Sequence, residues 1–150
     1  TVTGQYLGAE QPRQAERGGY ASFGWAIATM GGMSLFLLLF ARPITALFID
    51  EPTVVGLGAA TVRVAALAMP PLAAGFAFSG SLRGAGDTRW VLFIYGICIW
   101  GLRVPLAYFF SISLGWGLVG AWVGICIDIT VRAVLLWWRF RSGRWKEFKV

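Results

Sequence analysis

The residue types of this chain limit the chemistry that it can perform. Its 150 residues include 13 Lys and Arg, 7 Asp and Glu, and no His. Serine-type triads, His-ligated zinc or haem, and imidazole proton relays are therefore excluded within the chain. Cys98 and Cys126 lack a metal-ligand spacing and are expected to be small buried hydrophobic residues. The sequence predicts no catalytic residues, no metal site and no cofactor, and the chain is not expected to be an enzyme.

Asp128 and Arg132 are the first candidate functional residues, because both lie inside an otherwise apolar stretch. A spacing of four places them on one face of a helix, where they can form an ion pair. One alternative is a structural pair that neutralises charge inside a helix bundle. The other is a coupling carboxylate for a proton or a cation, since charge at membrane depth is costly and often functional. Arg103 is a further charge in an apolar stretch, and it either snorkels to the outer surface or faces a cavity.

Pro70 and Pro71 form the second candidate site, in the middle of another apolar stretch. Because proline has no N–H, they leave the carbonyls of Ala66 and Leu67 without their helical donors, and Pro105 does the same elsewhere. Transporters use such broken helices at their binding sites, and a simple packing kink is the alternative. The neighbouring bulky side chains either contact a lipophilic ligand or only pack. The predicted substrate-lining residues are Met69, Pro70, Pro71, Phe76 and Phe78.

The elements that carry these residues are predicted from hydropathy. Hydrophobic residues make up 57% of the chain and charged residues 13%, which is too apolar for a soluble domain of this length. A helix that crosses a bilayer needs about 20 predominantly apolar residues. The apolar runs predict four such helices, and the expected fold is an all-α polytopic membrane bundle. The predicted spans are residues 18–41, 54–82, 90–112 and 117–138.

The Lys and Arg residues outside the spans predict the orientation of the chain. Segments 1–17, 83–89 and 139–150 hold nine of them, whereas the two intervening loops hold only Arg42. The positive-inside rule therefore places both ends in the cytoplasm. The basic tail, residues 139–150, is expected to flank the anionic membrane surface, which removes the support for nucleic-acid binding.

The distance along the helix axis predicts the depth of each charged residue within the spans. At about 1.5 Å per residue, Arg103 lies roughly 21 Å from Arg89, past the midplane but inside the hydrocarbon. By the same count Asp128 lies roughly 16 Å from Arg139, close to the middle of the bilayer. Asp128 is therefore the acidic residue predicted at depth.

Short motifs in the chain have structural explanations. The turn GAGDTR is expected to be tight, with Asp87 or Thr88 capping the next helix. Three GxxxG matches, at 4/8, 80/84 and 120/124, are what 20 glycines in 150 residues produce by chance. They are therefore not evidence of dimerisation.

Five longer stretches of the chain form a recognisable pattern in their order and spacing. They are GQYLGAEQPRQAERGG, ARPITALFIDEPTVV, SGSLRGAGDTR, LRVPLAYFF and GAWVGICIDITVRAVLLWWRFRSGRW. Together they resemble the second half of a multidrug and toxic compound extrusion (MATE) transporter. The resemblance covers nearly the whole chain and implies the end of the eighth helix and helices nine to twelve. It further implies a twelve-helix inner-membrane antiporter of two six-helix lobes, which exports amphipathic, often cationic compounds in exchange for protons or sodium ions. Pro70 and Pro71 would lie on the tenth helix, which borders the central cleft.

One departure from the family pattern concerns the coupling ion. Sodium-coupled members are similar in placing an acidic residue on the tenth helix, and this chain has none between Arg63 and Leu82. The resemblance therefore favours proton coupling through a carboxylate in the first lobe and leaves Asp128 an auxiliary role. Thr1 is not an initiator Met, so the chain is expected to be a fragment.

The expected partners are small lipophilic or cationic substrates, the lipid bilayer, and the missing N-terminal lobe of the same chain. Two other functions stay open. The first is a lipid-linked oligosaccharide flippase of the same superfamily, which would need a more cationic cavity. The second is a membrane scaffold that transports nothing, in which Asp128 and Arg132 only hold helices together.

Overall fold

The computed structural model describes residues 2–147, and these residues form helices joined by short turns, with no strand among them. The helices are α1 (Val2–Gly8), α2 (Pro12–Ala46), α3 (Pro52–Gly84), α4 (Thr88–Ile97), α5 (Val104–Tyr108) and α6 (Gly117–Arg141), with π-helical segments at Cys98–Arg103 and Phe109–Ser113 and a 3₁₀ turn at Arg144–Glu147. The third span is continuous through α4, the first π-helical segment, α5 and the second π-helical segment.

Four helices are long and apolar enough to cross a membrane, which confirms the predicted class of fold. They are Pro12–Ala46, Pro52–Gly84, Thr88–Ser113 and Gly117–Arg141, and each contains one of the predicted spans. The helix Pro12–Ala46 has 35 residues. At ~1.5 Å per residue it is roughly 50 Å long, so its ends extend beyond a hydrocarbon layer of about 30 Å.

The turns between the spans begin and end with residues suited to helix boundaries. Pro12 and Pro52 occupy the first turns of α2 and α3, where a missing N–H costs nothing. Gly86, with φ 85°, and Gly115, with φ 68°, supply the left-handed conformation that tight turns require.

Helix α3 lies at the centre of the bundle, between α2 and α6. The core includes Phe78, Leu136 and Phe140, all at most 2% exposed. Cys98 is 2% exposed and belongs to this core. Cys126 is partly buried, and its thiol donates to the carbonyl of Val64 at 3.2 Å, so it links α6 to α3.

The third and fourth spans approach closely at two glycines of α6. A side chain at Gly124 would place its Cβ 2.8 Å from the backbone nitrogen of Ala107, and one at Gly120 would collide with the carbonyl of Phe110. Because backbone atoms cannot move aside cheaply, these positions require glycine. The GxxxG match at 120/124 therefore serves helix packing inside the chain.

Candidate functional site

A buried cluster of three charged side chains joins the third and fourth spans. Asp128, on α6, is fully buried. Its Oδ2 accepts hydrogen bonds from Nε of Arg103 at 3.0 Å and from Nη2 of Arg132. Nη2 of Arg103 also lies 3.0 Å from the same oxygen. The spacing of four predicted the contact with Arg132, and the structure adds Arg103, which comes from the end of the first π-helical segment.

The cluster is unequal in charge, since two guanidinium groups share one carboxylate. Arg132 is 9% exposed, whereas 34% of the Arg103 side chain is exposed. The ring of Tyr95 lies 4.7 Å from the Arg132 guanidinium and offers it a cation–π contact. Among the described residues, Oδ1 of Asp128 and Nε of Arg132 are buried without a hydrogen-bond partner. The cluster therefore holds a formal charge of +1 and two unused polar atoms.

This arrangement is better suited to holding helices than to binding a cation. A carboxylate oxygen that already contacts two guanidinium groups presents a net positive environment to any approaching cation. Protonation of Asp128 would leave both arginines without a counter-charge. The guanidinium of Arg103 is held by Asp128, while 34% of its side chain remains exposed.

An apolar cavity of about 350 Å³ lies between α2, α3 and α6. Three of the five predicted substrate-lining residues line it, namely Pro70, Pro71 and Phe78. Met69 is partly buried outside this lining, and Phe76 is 58% exposed on another face of α3. The cavity is lined by Phe23, Ile27, Pro70, Pro71, Ala74, Phe78, Thr130, Ala133, Val134 and Trp137.

One of the two carbonyls freed by the double proline has a partner that the sequence analysis missed. The hydroxyl of Ser34, on α2, donates to the carbonyl of Ala66 at 2.6 Å, and both residues are buried. Ala66 is four residues before Pro70, so its carbonyl has lost its helical donor. The available signal was a hydroxyl in an uncharged apolar run, which does not by itself identify the acceptor.

A second buried ion pair lies at the end of the fourth span. Nε of Arg139 donates to Oδ2 of Asp87 at 2.7 Å, and the Arg139 guanidinium lies 4.7 Å from the ring of Trp90. The predicted helix cap at this turn was wrong. Asp87 is at the N-cap position of α4 (Thr88–Ile97), but within this fully described helix no side chain makes a capping hydrogen bond. A charged partner at hydrogen-bond distance binds the carboxylate more strongly than backbone N–H groups do.

Four apolar spans, a helix with two internal prolines beside an apolar cavity and a buried charge cluster are together typical of a polytopic membrane protein of the transporter class. The family model MatE matches residues 1–109. The chain therefore belongs to the MatE family, which confirms the resemblance to MATE transporters. Transporters of this family are not enzymes in general, and the fold is that of a multi-pass membrane protein.

Individual relatives match almost the whole chain. It is 30% identical to "Uncharacterized transporter YisQ" of Bacillus subtilis (strain 168), over 96% of this chain and 32% of that protein. It is 29% identical to "Probable multidrug resistance protein NorM" of Thermotoga maritima, over 98% of this chain and 32% of that protein. It is 33% identical to "Multidrug resistance protein NorM" of Burkholderia vietnamiensis, over 91% of this chain and 31% of that protein. The chain spans about a third of the length of these curated relatives.

Proposed function

We propose that this chain forms part of a secondary active exporter of amphipathic or cationic compounds, which works by alternating access and exchanges its substrate for a cation. Membership of the MatE family supports export as the activity. Two relatives are named as multidrug resistance proteins, which supports drug-like compounds as substrates. The proposed location is the cell inner membrane, with both ends of the chain in the cytoplasm, as the distribution of Lys and Arg favours.

The apolar cavity at Pro70 and Pro71 is the observation that carries this proposal. Its volume, about 350 Å³, is within the range of small-molecule sites. Its lining is almost entirely apolar, which suits the lipophilic part of an amphipathic compound. The double proline removes two helical N–H donors from α3 at the same level, so the helix that lines the cavity is also the helix that can bend.

The coupling carboxylate is proposed to lie elsewhere in the full-length protein. Asp128 already contacts Arg103 and Arg132, so binding a cation or a proton there would oppose two neighbouring positive charges. Asp128 and both arginines are proposed to be structural. The absence of an acidic residue between Arg63 and Leu82 favours protons over sodium ions as the coupling ion.

Dye efflux from vesicles that contain the full-length protein tests the proposal. We expect export of a cationic dye under an imposed proton or sodium gradient, and the absence of export under both gradients would refute the proposal. Ala74→Leu adds three carbons inside the cavity, and since a single added methylene can change discrimination by roughly tenfold, the variant is expected to lower dye efflux by at least roughly tenfold. Ala77→Leu is the matched control, since Ala77 is equally part-buried on the same helix but lies outside the cavity lining.

A further inference from the structure

A basic and aromatic cavity lies at the end of the fourth span, apart from the apolar cavity at the prolines. Its volume is about 500 Å³. It combines two tryptophans from the last turns of α6 with arginines that follow them in the chain. The lining residues are Trp137, Trp138, Arg139, Arg141, Ser142 and Arg144.

The chain after α6 is folded back, which gives this cavity a defined shape. Gly143 has φ 71°, a conformation that glycine adopts at low cost, and it turns the chain after the helix. The ring of Trp145 then stacks on Phe140, with centroids 4.9 Å apart and an interplanar angle of 11°. Its indole N–H donates to the carbonyl of Phe140 at 2.6 Å, and Trp145 is fully buried. Arg144 is therefore fixed beside the end of α6.

The charge that the cavity offers comes from Arg141 and Arg144. Arg139 also lines it, but its guanidinium is already paired with Asp87 at 2.7 Å. The Arg141 guanidinium lies 5.3 Å from the ring of Trp137, and this contact holds it over the aromatic side of the cavity. Among the side chains that the structure describes, neither Arg141 nor Arg144 forms an ion pair with an acid.

The order of residue types along this segment matches the layers of a membrane surface. Trp138 is 64% exposed at the end of an apolar span, where amphipathic rings prefer the headgroup level. Arg141 follows it by about one helical turn at the end of α6, and the turn at Gly143 holds Arg144 beside it, so both guanidinium groups are expected at the level of lipid phosphates. A planar guanidinium donates two parallel hydrogen bonds to phosphate or carboxylate oxygens, which favours these anions over spherical ones such as chloride.

We propose that this cavity binds the phosphodiester headgroup of an anionic phospholipid from the leaflet in which α6 ends. Arg141 and Arg144 contact the phosphate, while Trp137 and Trp138 contact the glycerol and upper acyl region. The site adjoins the apolar cavity, because Trp137 lines both, but neither Asp128 nor the double proline lines it.

Lipid retention by the full-length protein tests this site. The protein is purified from mixed phosphatidylglycerol and phosphatidylcholine micelles, and the bound lipids are counted by native mass spectrometry. Arg141→Gln with Arg144→Gln is expected to lower phosphatidylglycerol retention by at least roughly fivefold, since each surface charge contributes about this factor or more. The matched control is Arg13→Gln with Arg17→Gln, which removes the same charge from two exposed positions outside this cavity.

Five outcomes decide the proposal. Selective loss of phosphatidylglycerol from the Arg141 and Arg144 double variant supports it, and partial loss in the variant with both residues changed to Lys identifies the paired guanidinium hydrogen bonds as the cause. Equal loss in the control variant overturns it, because the effect is then a general surface potential. Unchanged retention in both variants overturns it as well. Displacement of the lipid by inorganic phosphate at millimolar concentration would overturn the lipid assignment in favour of a free anion.

Discussion

Replacing Asp128 by Asn tests whether the buried charge cluster is structural. The change leaves the guanidinium groups of Arg103 and Arg132 without a counter-charge. Removing one partner of a buried ion pair costs about 3–5 kcal/mol. Both arginines bear this cost, since Arg132 is 9% exposed and Arg103, with 34% of its side chain exposed, lies within the third apolar span. Asp128→Asn should therefore destabilise the protein by about 3–5 kcal/mol.

Arg103→Gln is the matched control for this substitution. It removes the surplus positive charge and leaves Asp128 and Arg132 as a neutral pair, so its cost is expected to be well below that of Asp128→Asn. The double variant Asp128→Leu with Arg132→Met replaces the buried pair by apolar groups of similar size. We expect it to be more stable than Asp128→Asn alone, since apolar replacement of a buried pair is often neutral or stabilising.

Two measurements on the full-length protein separate a structural from a coupling role. The first is the midpoint of thermal unfolding in detergent, followed by size-exclusion chromatography after heating. The second is dye efflux per folded molecule under a proton gradient. A large fall in the midpoint for Asp128→Asn, with normal efflux by the protein that remains folded, is expected. An unchanged midpoint with abolished efflux would refute the structural role, and an equal cost for Arg103→Gln would refute the reasoning about charge.

Two further substitutions test packing between the spans. Ser34→Ala should cost about 1–3 kcal/mol, because it leaves the buried carbonyl of Ala66 without a donor. Adding Pro70→Ala restores a backbone N–H four residues on, so the double variant should recover stability in thermal unfolding; a purely additive loss would contradict this account. Gly124→Ala should cost about 1–3 kcal/mol through overpacking. Gly96→Ala, where a side chain would meet open space, should be neutral or slightly stabilising in the same measurement; equal losses at both glycines would argue against close packing.

Hydropathy was sufficient to predict the four spans, because a helix in lipid must be apolar over its whole length. The ion pair within α6 also followed from its spacing. The contact between Arg103 and Asp128 did not, because it joins residues 25 positions apart on different helices. Depth counting placed both inside the hydrocarbon. It specified no rotation about either helix axis, and that rotation decides whether two side chains meet.

At the turn before α4, a tertiary contact replaces the capping interaction that the local sequence predicts. Asp87 has the type and position of a helix cap, and the prediction followed from that alone. Its carboxylate binds the buried guanidinium of Arg139 instead. Arg139 lies 52 residues further along the chain, so no local window of sequence contains both groups.

The π-helical segments of the third span have a consequence for its length. A π-helix accommodates more residues per turn than an α-helix does, and here two such segments occur on either side of Pro105. The span therefore contains more residues than an α-helix of the same length would. Conversion of the Cys98–Arg103 segment to α-helix would lengthen the span and turn Arg103 about the helix axis, away from Asp128. The salt bridge between Arg103 and Asp128 therefore stabilises the shorter, π-helical form of the third span.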